Sequence, residues 1–181
     1  MPSATVLTLS AAEARDRVSE LASVLVDCVE DGASVSFMEG LSHHEATDFW
    51  RGIADDVEAG TRVLFAAQVD GRILGTVQLT LCSIPNQLHR ADINKLLVHR
   101  DGRERGLARA LMDRAESDAR ERGLALLCLD TMTNSPAERL YDSLDWLRIG
   151  VVPDYAALPN GRLEATTFFY KPLTQKTPRT S

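Results

Sequence analysis

The stretch that most constrains this chain runs from residue 91 to residue 130. ADINKLLV (91–98) has the character of a strand, and LALLCLD (124–130) is apolar enough for a strand buried at the centre of a sheet. Between them, residues 105–122 carry Leu107, Ala108, Leu111, Met112, Ala115 and Ala119 on one helical face, and Gly123 ends the helix. Two core strands with a helix between them form a crossover unit, which requires a sheet with at least one parallel pair.

The remaining elements fit around that unit. TVLTL (5–9) reads as a short strand. Ser10 with Glu13 forms a capping box that starts a helix running to about Val29. Ser42 caps a second helix through Glu58, with Ala46, Phe49, Trp50, Ile53 and Val57 facing inward. RVLFAAQV (62–69) and RILGTVQLTLC (72–82) flank Asp70-Gly71, a two-residue hairpin turn. Ser135, Pro136 and Glu138 provide the cap, the first residue and the box partner of a helix to about Leu144. Residues 145–152 and 166–173 read as strands separated by a long loop, 153–165. The expected fold is therefore α/β (α+β mixed): a central twisted mixed seven-stranded β-sheet flanked by four α-helices. Residues 5–173 form one domain, followed by a disordered polar tail, 174–181.

Composition sets outer limits. The 181 residues suffice for one domain. The N-terminus lacks the basic start and apolar run of a signal peptide, and no apolar run is long enough to span a membrane. Cys28, Cys82 and Cys128 are odd in number and far apart, without metal-ligand spacing; free thiols in a cytoplasmic protein without a metal are expected. A net charge of −6 and the lack of aromatics among the basic residues argue against a nucleic-acid partner.

Against that acidic background, Lys95, His99, Arg100, Arg103, Arg105 and Arg109 crowd into fifteen residues. This cluster coincides with the turn between the strand and the helix. The first N–H groups of a helix lack intrahelical partners and carry the positive end of its dipole. Gly106 has no Cβ to obstruct a ligand, and Ala108 keeps the next turn slim. Such a turn suits a pyrophosphate. The ATP-type loop GxxxxGK[ST] and the dinucleotide fingerprint GxGxxG are both absent.

The turn instead reads Arg103-x-x-Gly106-x-Ala108, and downstream stands Asn134-x-x-Ala137-x-x-x-Tyr141, then Asp145-Trp146. In these two motifs and their order the chain resembles the GNAT superfamily of N-acetyltransferases from about Thr5 to Leu173. Within it, GASVSFM (32–38), RADINKLLV (90–98), LDT (129–131) and PDYAALPNGRL (153–163) look like the tabtoxin-resistance acetyltransferases of plant-pathogenic pseudomonads.

The resemblance implies acetyl-CoA as co-substrate and a primary amine as acceptor, with a β-lactam amino-acid toxin as the suspected one. It implies that Arg103, Glu104, Arg105, Gly106, Leu107, Ala108 and Arg109 hold the pyrophosphate. Leu96, Leu97 and Val98 would pair through their backbone with the pantetheine arm, and an N–H near Leu97 or Val98 would stabilise the oxyanion. Asn134 either bonds the cofactor or caps its own helix.

Direct attack of an amine on a thioester needs a base and a donor to the leaving sulfur. A phenol of pKa about 10 can donate to a thiolate whose acid has pKa about 8.5, which makes Tyr141 the candidate acid. Carboxylates near a sheet centre are costly unless paired or wetted, so Asp92 and Asp130 are candidate bases or ammonium holders, which the sequence does not rank. Asp92 can alternatively pair with Arg90 or Lys95, and Asp130 can be a turn acid or the partner of a helix N-terminus. Phe37 and Tyr155 are candidate substrate contacts, although Phe37 reads with Met38 and Trp50 as core and Tyr155 can serve packing alone; His43 and His44 read as surface. Acetylation of another amine (an aminoglycoside, a polyamine, a peptide N-terminus) and a silent CoA-binding module are the competing functions. A monomer or homodimer is expected.

Overall fold

The computed structural model describes residues 4–173; the segment 174–181, expected to be a disordered tail, lies outside them. The chain runs β1 (Thr5–Leu9), α1 (Ala11–Asp16), α2 (Val18–Glu30), α3 (His43–Glu58), β2 (Arg62–Val69), β3 (Arg72–Leu81), β4 (Arg90–Val98), α4 (Leu107–Glu121), β5 (Leu126–Met132), α5 (Pro136–Ser143), β6 (Leu147–Ala157) and β7 (Leu163–Pro172). A short 3₁₀ turn, Arg100–Gly102, precedes α4.

The seven strands form one sheet in the order β1-β2-β3-β4-β5-β7-β6. Only β4 and β5 pair in parallel, and α4 is the crossover between them. Because β2 is apolar on both faces, it feeds two cores by simple alternation. Val63, Phe65 and Ala67 pack with Leu107, Leu111, Met112 and Ala115 of α4. Leu64 and Ala66 pack on the opposite face with Leu21 and Leu25 of α2 and Trp50 and Ile53 of α3.

Two expectations are corrected. The first helix is two, which makes five helices rather than four. Arg17 leaves helical geometry (φ −105°, ψ 17°) between α1 and α2. Its guanidinium donates to Glu20, to Gln68 Oε1 on β2 and to the Gly71 carbonyl in the β2–β3 turn. These contacts tie the break to the sheet, and helical periodicity on either side hides it. The second correction concerns residues 153–165, which are mostly strand. β6 continues to Ala157 and β7 begins at Leu163, so only residues 158–162 turn. The ladder goes from Val152↔Thr166 to Ala156↔Glu164, so β6 carries two extra residues in a bulge where Asp154 has φ +50°. Pro153 and Asp154 break the alternation that would have marked a strand.

Among the described residues no helix is long and apolar enough to cross a membrane, and all three cysteines are free thiols.

Candidate active site

The parallel β4–β5 ladder extends only from Arg90↔Leu126 to Asp92↔Cys128. Beyond it the two strands part. The edge of β4 from Ile93 to Val98 and the end of β5 from Asp130 to Met132 line a cavity of about 920 Å³. Its other walls are the α2–α3 loop, the start of α4, α5 and the β6 bulge. The volume lies at the upper end of the range of small-molecule sites.

One end of the cavity is built from the backbone. The 3₁₀ turn sits tightly on β3: a Cβ on Gly102 would meet Leu107 Cδ1 at 2.8 Å and Leu74 Cβ at 3.0 Å. Gly106 is the N-cap of α4 with φ +74°, so the helix starts at Leu107 rather than Arg105. Helices α1, α3 and α5 each have a serine cap (Ser10, Ser42, Ser135) and a glutamate in the first turn. Helix α4 has neither a side-chain cap nor an acidic residue there. Its first N–H groups are thus left to water or an anion, and no acidic side chain of its first turn competes for them.

The side chains expected at this end differ in position. Arg103 and Ala108 line the cavity. Arg103 is held by Asp31 at 2.7 Å and donates to the Val98 carbonyl at 3.5 Å, where the Cys28 thiol also donates. Burial raises the Cys28 pKa to about 11, so this thiol stays protonated. Arg109 donates to Ser143 Oγ on α5 at 2.9 Å. Glu104 and Arg105 are exposed, and Leu107 is buried in the core, so Leu107 offers only its N–H.

At the middle of the cavity stands Tyr141, 4% exposed and packed against Trp146 and Phe169. Among the described residues its hydroxyl has no hydrogen-bond partner, and it lines the cavity. Desolvation, with a lesser contribution from Asp130, pushes its pKa well above 10, so it is a phenol throughout the physiological range. The helix carrying it is fixed at its start. Ser135 Oγ accepts the Glu138 N–H at 3.1 Å. The Glu138 carboxylate accepts from the Asn134 N–H at 2.6 Å, so the box partner reaches one residue further back than expected. Glu138 also accepts from Thr167 Oγ1 (2.7 Å) and Arg148 (2.9 Å). Asn134 has φ +63° and is neither the cap of α5 nor part of the cavity wall.

The two acids that the sequence left unranked are in different situations. Asp92 is ion-paired with Arg90 at 2.8 Å and does not line the cavity. Asp130 lines it at the exposed end of β5; partial desolvation there raises its pKa, Lys95 opposes the shift and Asp92 adds to it.

Phe37 lines the cavity and meets Phe49 edge-on at 5.1 Å; Met38 lines it too, rather than belonging to the core. Tyr155, at the β6 bulge, is 54% exposed and meets Phe168 edge-on at 5.1 Å. Trp50 is fully buried, as expected. His43 bonds the Ser19 carbonyl and His44 approaches Asp48, both on the surface. The sequence missed Lys95 as a cavity residue. The available signal was a lysine amid the apolar residues of a central strand.

Comparisons with known proteins bear on the family and the fold. Residues 26–146 match the model of the acetyltransferase (GNAT) family. An N-acetyltransferase from Staphylococcus aureus Mu50 superposes with a TM-score of 0.79 at 13% identity, covering 95% of this chain and 99% of that one. The structure of yncA from Salmonella typhimurium with its cofactor acetyl-CoA gives 0.77 at 16% identity over 97% and 96%. A ribosomal-protein-alanine N-acetyltransferase from Brucella melitensis gives 0.77 at 18% over 93% and 99%. At these identities the structures speak to the fold alone.

Proposed function

The chain belongs to the acetyltransferase (GNAT) family and is an acetyl-CoA-dependent N-acetyltransferase, and on that premise we propose that its acceptor is the primary amine of a small molecule. The observation that carries this reading is the single cavity that joins the uncapped start of α4 to Tyr141 and Asp130. The parted β4–β5 edge and the free N–H groups of α4 fit a long amide-bearing arm ending in a pyrophosphate. Bound there, acetyl-CoA supplies an activated acyl group.

The chain's residues supply the rest. Asp130, more basic than an ordinary aspartate, takes the proton of the acceptor ammonium, directly or through water. The amine nitrogen then bonds to the acetyl carbon, and the carbon–sulfur bond breaks. An N–H of Leu97 or Val98 donates to the acetyl oxygen as it gains charge. Tyr141, kept protonated by its burial, donates its proton to the departing sulfur, and the second proton that the nitrogen sheds as it becomes an amide returns to Tyr141, directly or through water. Asp92, held by Arg90, is a supporting residue rather than the base.

The β6–β7 ribbon supports a small acceptor over a polypeptide one. Tyr155, Ala156 and Ala157 add a wall to the cavity beside those of the α2–α3 loop and α5, and a walled cavity suits a small molecule. A β-lactam amino-acid toxin is the acceptor the sequence resemblance favours, and three free thiols support a cytoplasmic setting for such detoxification.

The test is thiol release from acetyl-CoA across the β-lactam amino acid, aminoglycosides, polyamines and short peptides. Turnover of the β-lactam alone is the expected result. Turnover of another amine keeps the chemistry and replaces the acceptor. Acetyl-CoA binding without any turnover favours a silent binding module.

A further inference from the structure

Lys95 is the cavity residue that the proposed chemistry leaves without a task. It has φ +49°, in the left-handed region that a lysine seldom occupies. The cause is a bulge. β3 and β4 pair at Gln78↔Asn94 and again at Thr76↔Leu97, so Lys95 and Leu96 together stand opposite Val77. The Thr76 hydroxyl donates to the Lys95 carbonyl at 3.1 Å and fixes the kink. The bulge gives Lys95 a direction that plain alternation along β4 does not set.

The side chain meets the α2–α3 loop, one wall of the cavity. Its ammonium lies 5.8 Å from the Phe37 ring centroid and 5.9 Å from that of Phe49, and bonds Ser36 Oγ at 3.2 Å. Phe37 and Ser36 belong to the α2–α3 loop and Phe49 to α3. Among the described residues no carboxylate forms an ion pair with it. Desolvation lowers its pKa from the ordinary lysine value, Arg62 adds to that, and Asp130 opposes it. The aromatic rings and one hydroxyl only partly replace the water this ammonium has lost.

We infer that Lys95 determines specificity by pairing with a carboxylate on the acceptor, so that the substrate is an amine that also carries an acid, an amino acid in the broad sense. Its ammonium faces Asp130 and its carboxylate faces Lys95, two opposite charges offered by one cavity. A polyamine or an aminoglycoside brings a further positive charge against an ammonium that has no ion-pair partner among the described residues, and is disfavoured. This inference rests on the acetyltransferase reading and narrows its acceptor class.

The test uses the full chain with acetyl-CoA and a panel of amino acids, each paired with its own carboxamide, which removes the negative charge and keeps the size. The β-lactam amino acid is one member, and polyamines form a separate arm. The wild type is expected to favour the acid over the amide in kcat/KM by about 10- to 100-fold, the range of one charge-assisted contact. Lys95→Met should bring that ratio close to one without changing the KM for acetyl-CoA. Lys95→Arg should restore it, which a merely structural role for Lys95 would not predict. An unchanged ratio in Lys95→Met, or a wild type that favours amides or polyamines, overturns the assignment. So does a protein that binds acetyl-CoA and turns over no member of any pair; this result leaves the donor site intact. Failure to bind acetyl-CoA would instead overturn the acetyltransferase reading on which the inference rests.

Discussion

The two ends of the cavity are made of different materials. The end proposed for acetyl-CoA is backbone: the parted edge of β4, the left-handed Gly106 and the uncapped N–H groups of α4. The part proposed for the acceptor is side chains brought from distant places: Phe37 from the α2–α3 loop, Lys95 from β4, Asp130 from β5 and Tyr155 from the β6 bulge. Backbone donors recognise what every reaction of the family shares. Side chains recognise what distinguishes one acceptor from another. The donor end also tolerates little change, because its geometry is set by φ angles and close packing rather than by replaceable contacts.

The sharpest way to break this contrast is Gly106→Trp. A Cβ here meets nothing within 4 Å, so the cost to folding is the strain of a side chain at φ +74°, about 1–2 kcal/mol, while the bulk would lie over the start of α4. Acetyl-CoA affinity should fall by more than about 100-fold, measured by titration calorimetry beside a thermal melt. Normal affinity would displace the pyrophosphate from this turn.

Next in size is Tyr141→Phe, which keeps the packing on Trp146 and Phe169. Turnover should fall by about 10²–10⁴ while acetyl-CoA binding is unchanged. If turnover persists, Tyr141 is only a wall of the cavity.

Asp130→Asn tests the meeting point of the two ends. Wild-type kcat/KM should rise with pH through an ionisation above the usual aspartate value, and the variant should lose that limb with about 10²-fold of turnover. The same shift has a consequence for stability. The folded state keeps the Asp130 proton to higher pH than the unfolded chain does. Stability from this group is therefore lost as pH rises from the ordinary value through the raised one. The asparagine variant should consequently melt slightly higher than wild type at neutral pH and no higher below the ordinary aspartate pKa. Equal melting at both pH values would show that Asp130 is well solvated.

The smallest effect concerns support rather than the site. Ser42→Ala removes the cap of α3, the helix that carries Phe49. It should cost about 1 kcal/mol in denaturant unfolding and leave acetyl-CoA affinity unchanged. A change in that affinity would show that the two ends are coupled through α3.

Much of the fold was legible because its signals are local. The caps at Ser10, Ser42 and Ser135, the Asp70-Gly71 turn and the apolar face of α4 each lie within a few residues of the element they define. The break at Arg17 was not legible, because its partners Gln68 and Gly71 are about fifty residues away. The β6–β7 ribbon was hidden by Pro153 and Asp154, which read as loop residues and occupy a bulge.

The sequence by itself determined the α/β order, the crossover through α4 and a glycine-bearing turn with an exposed helix start, because each depends on spacing along the chain. Only the tertiary structure decided which acid faces the cavity. Asp92 and Asp130 both lie on strands beside the same gap, but Arg90 neutralises one and the parting of β4 from β5 opens the cavity to the other. It alone also turned Lys95 toward Ser36 and Phe37, since a bulge is set by pairing with the neighbouring strand and leaves no periodic trace in the strand's own residues.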